Sequence, residues 1–86
     1  MVRVEFDKAI EQYFKQINPE LSMENISETD NLYEKGLIDS LNTVRLIMFL
    51  EKLLDAEIRI DKYNIRDFYT IKSLYEKIYL PISQAK

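Results

Sequence analysis

Residues 34–54 read EKGLIDSLNTVRLIMFLEKLL. The run from Ser40 to Leu54 has the length and apolar content of a helix. At 100° per residue, Leu46, Ile47, Phe49, Leu50, Leu53 and Leu54 fall on one broad arc, wide enough to be a core face. Leu41, Val44 and Met48 fall on the opposite side, flanked by Arg45, Glu51 and Lys52. An apolar strip with charged rims resembles a partner-binding patch. The alternative is a helix buried nearly all round. Asp39 or Ser40 can cap the helix, and Gly36, the chain's only glycine, supplies a flexible turn ahead of it.

The flanking segments carry helical patterns as well. Val2, Phe6, Ala9, Ile10, Tyr13, Phe14 and Ile17 recur at three- and four-residue steps and predict a first helix. Asn18-Pro19 stops it, because a residue before proline is pushed out of the helical region. Residues 19–36 predict a long polar loop, with Leu21, Met23, Ile26, Leu32 and Tyr33 as anchors onto the core. Ser22 could cap a helical turn within that loop. Loops this long in small domains are often functional.

Beyond the central helix, Ile58 and Ile60 alternate with charge like a strand. With no second strand to pair with, the segment reads as an extended loop. A short helix is expected within residues 63–69. Thr70 then caps a last helix with Ile71, Leu74, Tyr75 and Ile78 on one face, and Pro81 closes it. The expected fold is all-α: a four-helix bundle of three main helices, one short helix and a long first loop, forming a single domain over residues 1–86.

Composition excludes much. The 86 residues are 47% hydrophobic and 31% charged, a globular balance. There is no cysteine and no histidine. Disulfides, thiolate metal sites and Ser-His or Cys-His catalysis are therefore unavailable. A net charge of −3 disfavours nucleic-acid binding. No apolar run approaches the roughly 20 residues that span a bilayer, so direct membrane insertion is not expected. The N-terminus lacks a signal peptide's apolar centre, which points to a cytoplasmic protein. Glu24, Glu28 and Asp30 lack the spacing and glycine of a calcium loop and read as a solvated acidic stretch. Tyr13, Tyr75 and Tyr79 lie at helical spacing and read as core or core-edge residues.

Asp39-Ser40-Leu41 admits three readings. Ser40 could cap the helix, act as a nucleophile, or serve as an attachment point. The tripeptide by itself reads first as a cap. An Asp beside a Ser, with no histidine in the chain, is not a hydrolase.

The surrounding pattern bears on the choice. DNLYEKGLIDSLNTVRLIMFLE, residues 30–51, resembles the acyl carrier protein family, in which a long loop ends in a G-x-D-S-[LM] type motif opening the second helix. One extra residue separates glycine from Asp-Ser here. Thr43-Val44, Leu46 and Leu50-Glu51 also match the family's helix, and Asp30 and Leu32 match its lead-in. The likeness is nearest to D-alanyl carrier proteins, whose stretch reads G-L-[LI]-D-S-M-x-T-V. IRIDKYNIRDFYT, with Tyr63, Phe68 and Thr70, is similar to their tail. The chain departs from them at Leu41 (usually Met), Asn42 (Gly) and Ile71 (Pro).

The resemblance implies that Ser40 carries a covalent 4′-phosphopantetheine arm, taken from coenzyme A by a phosphopantetheinyl transferase. Asp39 is implied in recognition by that transferase. The arm's thiol would hold an acyl or aminoacyl group as a thioester, which a chain without cysteine cannot form by itself. The implied partners are the transferase, an adenylating acyl or aminoacyl ligase and a downstream acceptor enzyme. The protein would be a non-catalytic carrier; a monomer is expected because the exposed strip is small and needed for transient partners.

Leu41, Val44, Arg45, Met48 and Glu51 are the expected partner surface. Fatty acid carriers usually present an acidic second helix; here Asn42 and Arg45 stand where acids are common. This argues for a dedicated pathway carrier, with the apolar strip carrying more of the recognition. The competing reading is a helical adaptor whose strip binds a partner helix while Ser40 is only a cap.

Overall fold

The computed structural model describes residues 3–20 and 26–85. The first helix, α1, spans Arg3–Ile17 and the second, α2, spans Ser40–Leu54. Two 3₁₀ turns follow, Ile60–Lys62 and Ile65–Phe68. A final helical run begins with α3 (Ile71–Ser73), widens into a π-helical segment (Leu74–Tyr79) and ends as α4 (Leu80–Ala85). The architecture is the expected all-helical one with a long first loop. The short helix expected within residues 63–69 is the 3₁₀ turn Ile65–Phe68, and a further 3₁₀ turn, Ile60–Lys62, lies within the segment read as extended.

The helices form where the apolar periodicity lies. Phe6, Ile10 and Phe14 bury one face of α1, and Leu46, Ile47, Leu50 and Leu54 one face of α2, with Phe49 and Leu53 half-buried beside them. These join Leu32, Ile38, Ile58, Phe68, Ile71, Leu74, Ile78 and Tyr79 in a single cluster. Aromatic edges tie the elements together. Phe6 meets Tyr75 and Tyr79 at 5.2 and 4.9 Å, while Tyr13 of α1 meets Phe49 of α2 at 4.7 Å. Arg3 reinforces the first of these contacts, lying over the Tyr75 ring and pairing with Asp7 and Glu28.

Three expectations need correction. Ile17 is exposed, because α1 ends there, one turn past the last residue that reaches the core. Tyr33 is 51% exposed and packs its ring on Tyr69 instead of anchoring in the core. Pro81 does not close the last helix, which continues to Ala85. A proline ring normally clashes with the carbonyl four residues back. Here the preceding turn is π-helical, with the Leu80 N–H donating five residues back to the Tyr75 carbonyl, and this wider turn lets the helix pass the proline. Of the two readings of α2, burial nearly all round is the one that falls: Leu41, Val44 and Met48 are 60%, 49% and 55% exposed. Leu21, Met23 and most of the turn expected after Ser22 lie outside the described residues.

Two left-handed residues end the helical turns that flank the site. Gly36 has φ +77°, its N–H reaching the Tyr33 carbonyl and the Leu37 N–H reaching back to Leu32. A side chain there would meet no atom within 4 Å, so the backbone angle, not space, is what favours glycine. The turn is a hydrogen-bonded stop more than a flexible hinge. Asp55 has φ 52° and closes α2 in the same pattern, with the Ala56 N–H on the Glu51 carbonyl.

Phe68 and Ile65 share one 3₁₀ turn but differ in burial: Phe68 is fully buried and Ile65 is exposed. Phe68→Ala should cost about 3–5 kcal/mol, whereas Ile65→Ala should stay within about 0.5 kcal/mol. Urea unfolding of the two variants, read by circular dichroism, checks the contrast.

Candidate functional site

The start of α2 settles which residue caps the helix. Asp39 is extended (φ −138°, ψ −171°), and its Oδ1 accepts the Asn42 N–H at 2.8 Å. Its carbonyl accepts both the N–H and the hydroxyl of Thr43, at 2.8 and 2.6 Å. Thr43 is buried and holds that turn from below. Ser40 is the first helical residue, not the cap. It is exposed, and its hydroxyl makes no hydrogen bond to a described residue. The structure thus divides two roles that the sequence left to either residue: Asp39 secures the helix, and Ser40 is left with a reachable hydroxyl.

Ser40 is exposed and lines a cleft of about 320 Å³. Thr43, Val44 and Ile47 of α2, Ile60 and Ile65 of the 3₁₀ turns and the stacked pair Tyr33 and Tyr69 complete the lining. The tyrosine pair is fixed by the backbone, because the Leu32 N–H donates to the Tyr69 carbonyl at 2.7 Å. The lining is mostly apolar and holds no ionisable carboxylate or amine. Tyr33, Ile60, Ile65 and Tyr69 were not singled out as site residues from the sequence. Two exposed isoleucines in a polar segment were the only signal, and their partners lie in other elements.

The expected partner surface is distributed around α2. Val44 belongs to the cleft beside Ser40. Arg45 and Met48 line a second cleft, between α1 and α2, and Leu41 is exposed outside both. Glu51 is half-buried, and its Oε2 accepts the Ile58 N–H at 2.8 Å. That bond ties the segment after α2 back onto the helix, so Glu51 has a structural task whatever it offers a partner. In the first loop, Glu28 pairs with Arg3, and Asp30 accepts the Ser27 N–H and lies near Lys35.

Comparison with known proteins supplies the family. A D-alanyl carrier protein of Streptococcus uberis is 33% identical over 60 residues, which cover 67% of this chain and 76% of that protein. The chain belongs to the D-alanyl carrier proteins' family, a branch of the acyl carrier proteins. A D-alanyl carrier protein of Streptococcus pyogenes is 29% identical over 72 residues, covering 81% and 91% of the two chains. No protein-family model and no solved structure matches the chain. Members of this family are non-catalytic carriers, and membership implies a role for a phosphopantetheine arm. The residues present fit such a group: an exposed serine at a helix start, its hydroxyl free of hydrogen bonds to described residues, lining an apolar cleft.

The division of roles can be measured. Asp39→Ala should destabilise the fold by about 1 kcal/mol through loss of the cap. Ser40→Ala should change stability by less than about 0.5 kcal/mol. Thermal unfolding of both variants in parallel tests this; equal losses would return the cap to Ser40.

Proposed function

We propose that the chain is one carrier domain whose Ser40 holds a 4′-phosphopantetheine arm, and that it ferries an acyl or aminoacyl group between enzymes. The observation that carries this reading is the Ser40 hydroxyl: it belongs to an exposed residue, is unengaged among the described residues, stands first in its helix and lines the apolar cleft. In the loading step the Ser40 oxygen attacks the pantetheine-side phosphorus of coenzyme A. A phosphodiester forms, and 3′,5′-adenosine diphosphate leaves. The serine proton goes to a base on the transferase, since the Asp39 carboxylate beside Ser40 is engaged as the helix cap. Asp39 serves as a fixed recognition feature for that transferase, its carboxylate held in place by the cap bond.

The arm brings the thiol on which cargo is carried as a thioester. An adenylating ligase supplies the cargo and a downstream enzyme accepts it, both in the cytoplasm. The partners read Leu41, Val44, Arg45, Met48 and Glu51 around the attachment point. No helix among the described residues is long and apolar enough to cross a membrane. D-alanine is the first cargo to test, since the relatives are D-alanyl carriers. The departures from that subfamily at Leu41, Asn42 and Ile71 make other aminoacyl and acyl groups the necessary comparison.

Incubation with coenzyme A and a promiscuous phosphopantetheinyl transferase should add the mass of one phosphopantetheine, read by intact-mass spectrometry. Ser40→Ala should gain none. A folded wild-type chain that gains no mass defeats the reading and leaves Ser40 an ordinary surface residue. If the holo-protein is then charged by a fatty acyl ligase and by no amino acid ligase, the aminoacyl cargo is excluded.

A further inference from the structure

The second cleft, between α1 and α2, has a different chemistry. It encloses about 260 Å³ and is lined by Tyr13 and Gln16 of α1 and by Arg45, Met48, Phe49 and Lys52 of α2. Arg45 and Lys52 are seven residues apart, so two turns of helix bring both cations to the same face. Both are exposed, and neither forms an ion pair with a described residue. Elsewhere Arg3 takes Asp7 and Glu28, Lys15 takes Glu11 and Lys77 takes Asp67, while Lys8, Lys62, Arg66 and Lys72 form no ion pair with a described residue; Arg45 and Lys52 differ from these four in lining one cleft together. Facing the pair from α1 is the neutral Gln16, not an acid.

Tyr13, which lines this cleft, carries a polar group without a partner among the described residues. The Tyr13 ring packs on Phe49, and its hydroxyl is buried with no hydrogen bond. A buried donor left unpaired costs free energy that an incoming acceptor would recover. Burial raises the Tyr13 pKa, and the charge of Arg45 opposes that rise. Beside the cleft, the exposed side chains of Met48 and Val44 continue the apolar strip of α2.

We propose that the α1–α2 cleft is a docking pocket for a carboxylate side chain of a partner protein. The occupant is an amphipathic segment with acidic residues beside an apolar ridge. Its carboxylate ion-pairs with Arg45 and Lys52 and accepts the Tyr13 hydroxyl, and its apolar side chains lie on Met48 and Val44. Charge complementarity selects this occupant: two unpaired cations and one unpaired donor converge on a site with no acid of its own. A basic partner segment would meet like charge here. The pocket goes beyond the carrier reading and rests on it only in assigning the partner to the enzymes that handle the loaded chain.

The test is an NMR titration of the ¹⁵N-labelled full chain, without coenzyme A or transferase. The probe is a short helical peptide with leucines on one face and glutamates flanking them; its twin has lysines in place of the glutamates. The glutamate peptide should shift the amides of Tyr13, Gln16, Arg45, Met48 and Lys52. Its binding should weaken on the order of tenfold in Arg45→Gln/Lys52→Gln. It should weaken again at about 1 M salt, where the Debye length is about 3 Å. Tyr13→Phe should bind a few-fold less tightly with its salt dependence unchanged. Equal binding of the lysine twin, undiminished binding by the folded double variant, shifts confined to the Ser40 end of α2, or no binding by either peptide would overturn the proposal. None of these outcomes touches the mass gain at Ser40, so the two readings fail separately.

Discussion

The bonding of Leu32 holds the site end of this molecule together. Its side chain is fully buried, its N–H donates to the Tyr69 carbonyl, and its own carbonyl accepts from Leu37 and Ile38. One residue thereby fixes the first loop to the segment before the last helix and sets the turn that leads into α2. Without that brace the chain from Leu32 to Asp39 would have no fixed entry angle. The cleft beside Ser40 would lose the stacked tyrosines that line it.

The cap at Asp39 builds on this brace. Ile38 is buried, so the residue after it must leave the core in an extended conformation, which is the geometry of a helix cap. Asp39 satisfies one of the free N–H groups of α2, and Thr43 returns a second bond to its backbone. With the helix start satisfied by its neighbours, Ser40 has no structural duty. A hydroxyl with no duty is one that can be modified without loss to the fold. The same economy holds at the far end of α2, where Asp55 supplies the left-handed stop and Glu51 grips the returning chain at Ile58.

Much of this was legible beforehand. The three-to-four periodicity of α1 and α2 reports burial directly, so Phe6, Ile10, Phe14, Leu46 and Leu50 were readable as core. The failures have local causes. Pro81 reads as a stop because sequence rules assume an α turn, and the π turn before it removes the clash. Tyr33 reads as core because it is large and aromatic, but its ring finds Tyr69 at the surface. Ile38 and Ile58 were not read as core, since burial in irregular segments follows no period. The absence of cysteine and histidine and the pattern from Asp30 to Glu51 indicated a carrier, in agreement with the family to which the chain belongs.

What the sequence by itself determined is one-dimensional: helix faces repeat along the chain, and a missing residue type is missing everywhere. The all-helical fold, the two-sided α2 and the prominence of the Asp39-Ser40 pair follow from that. What only the tertiary structure decided is convergence. Tyr33, Val44, Ile60, Ile65 and Tyr69 form one cleft, and Tyr13 meets Arg45 and Lys52 at another, although no spacing along the chain relates them. Such sites arise because packing the apolar faces of separate elements fixes where their remaining edges meet, and those edges are set by three-dimensional closure of the core, not by local periodicity.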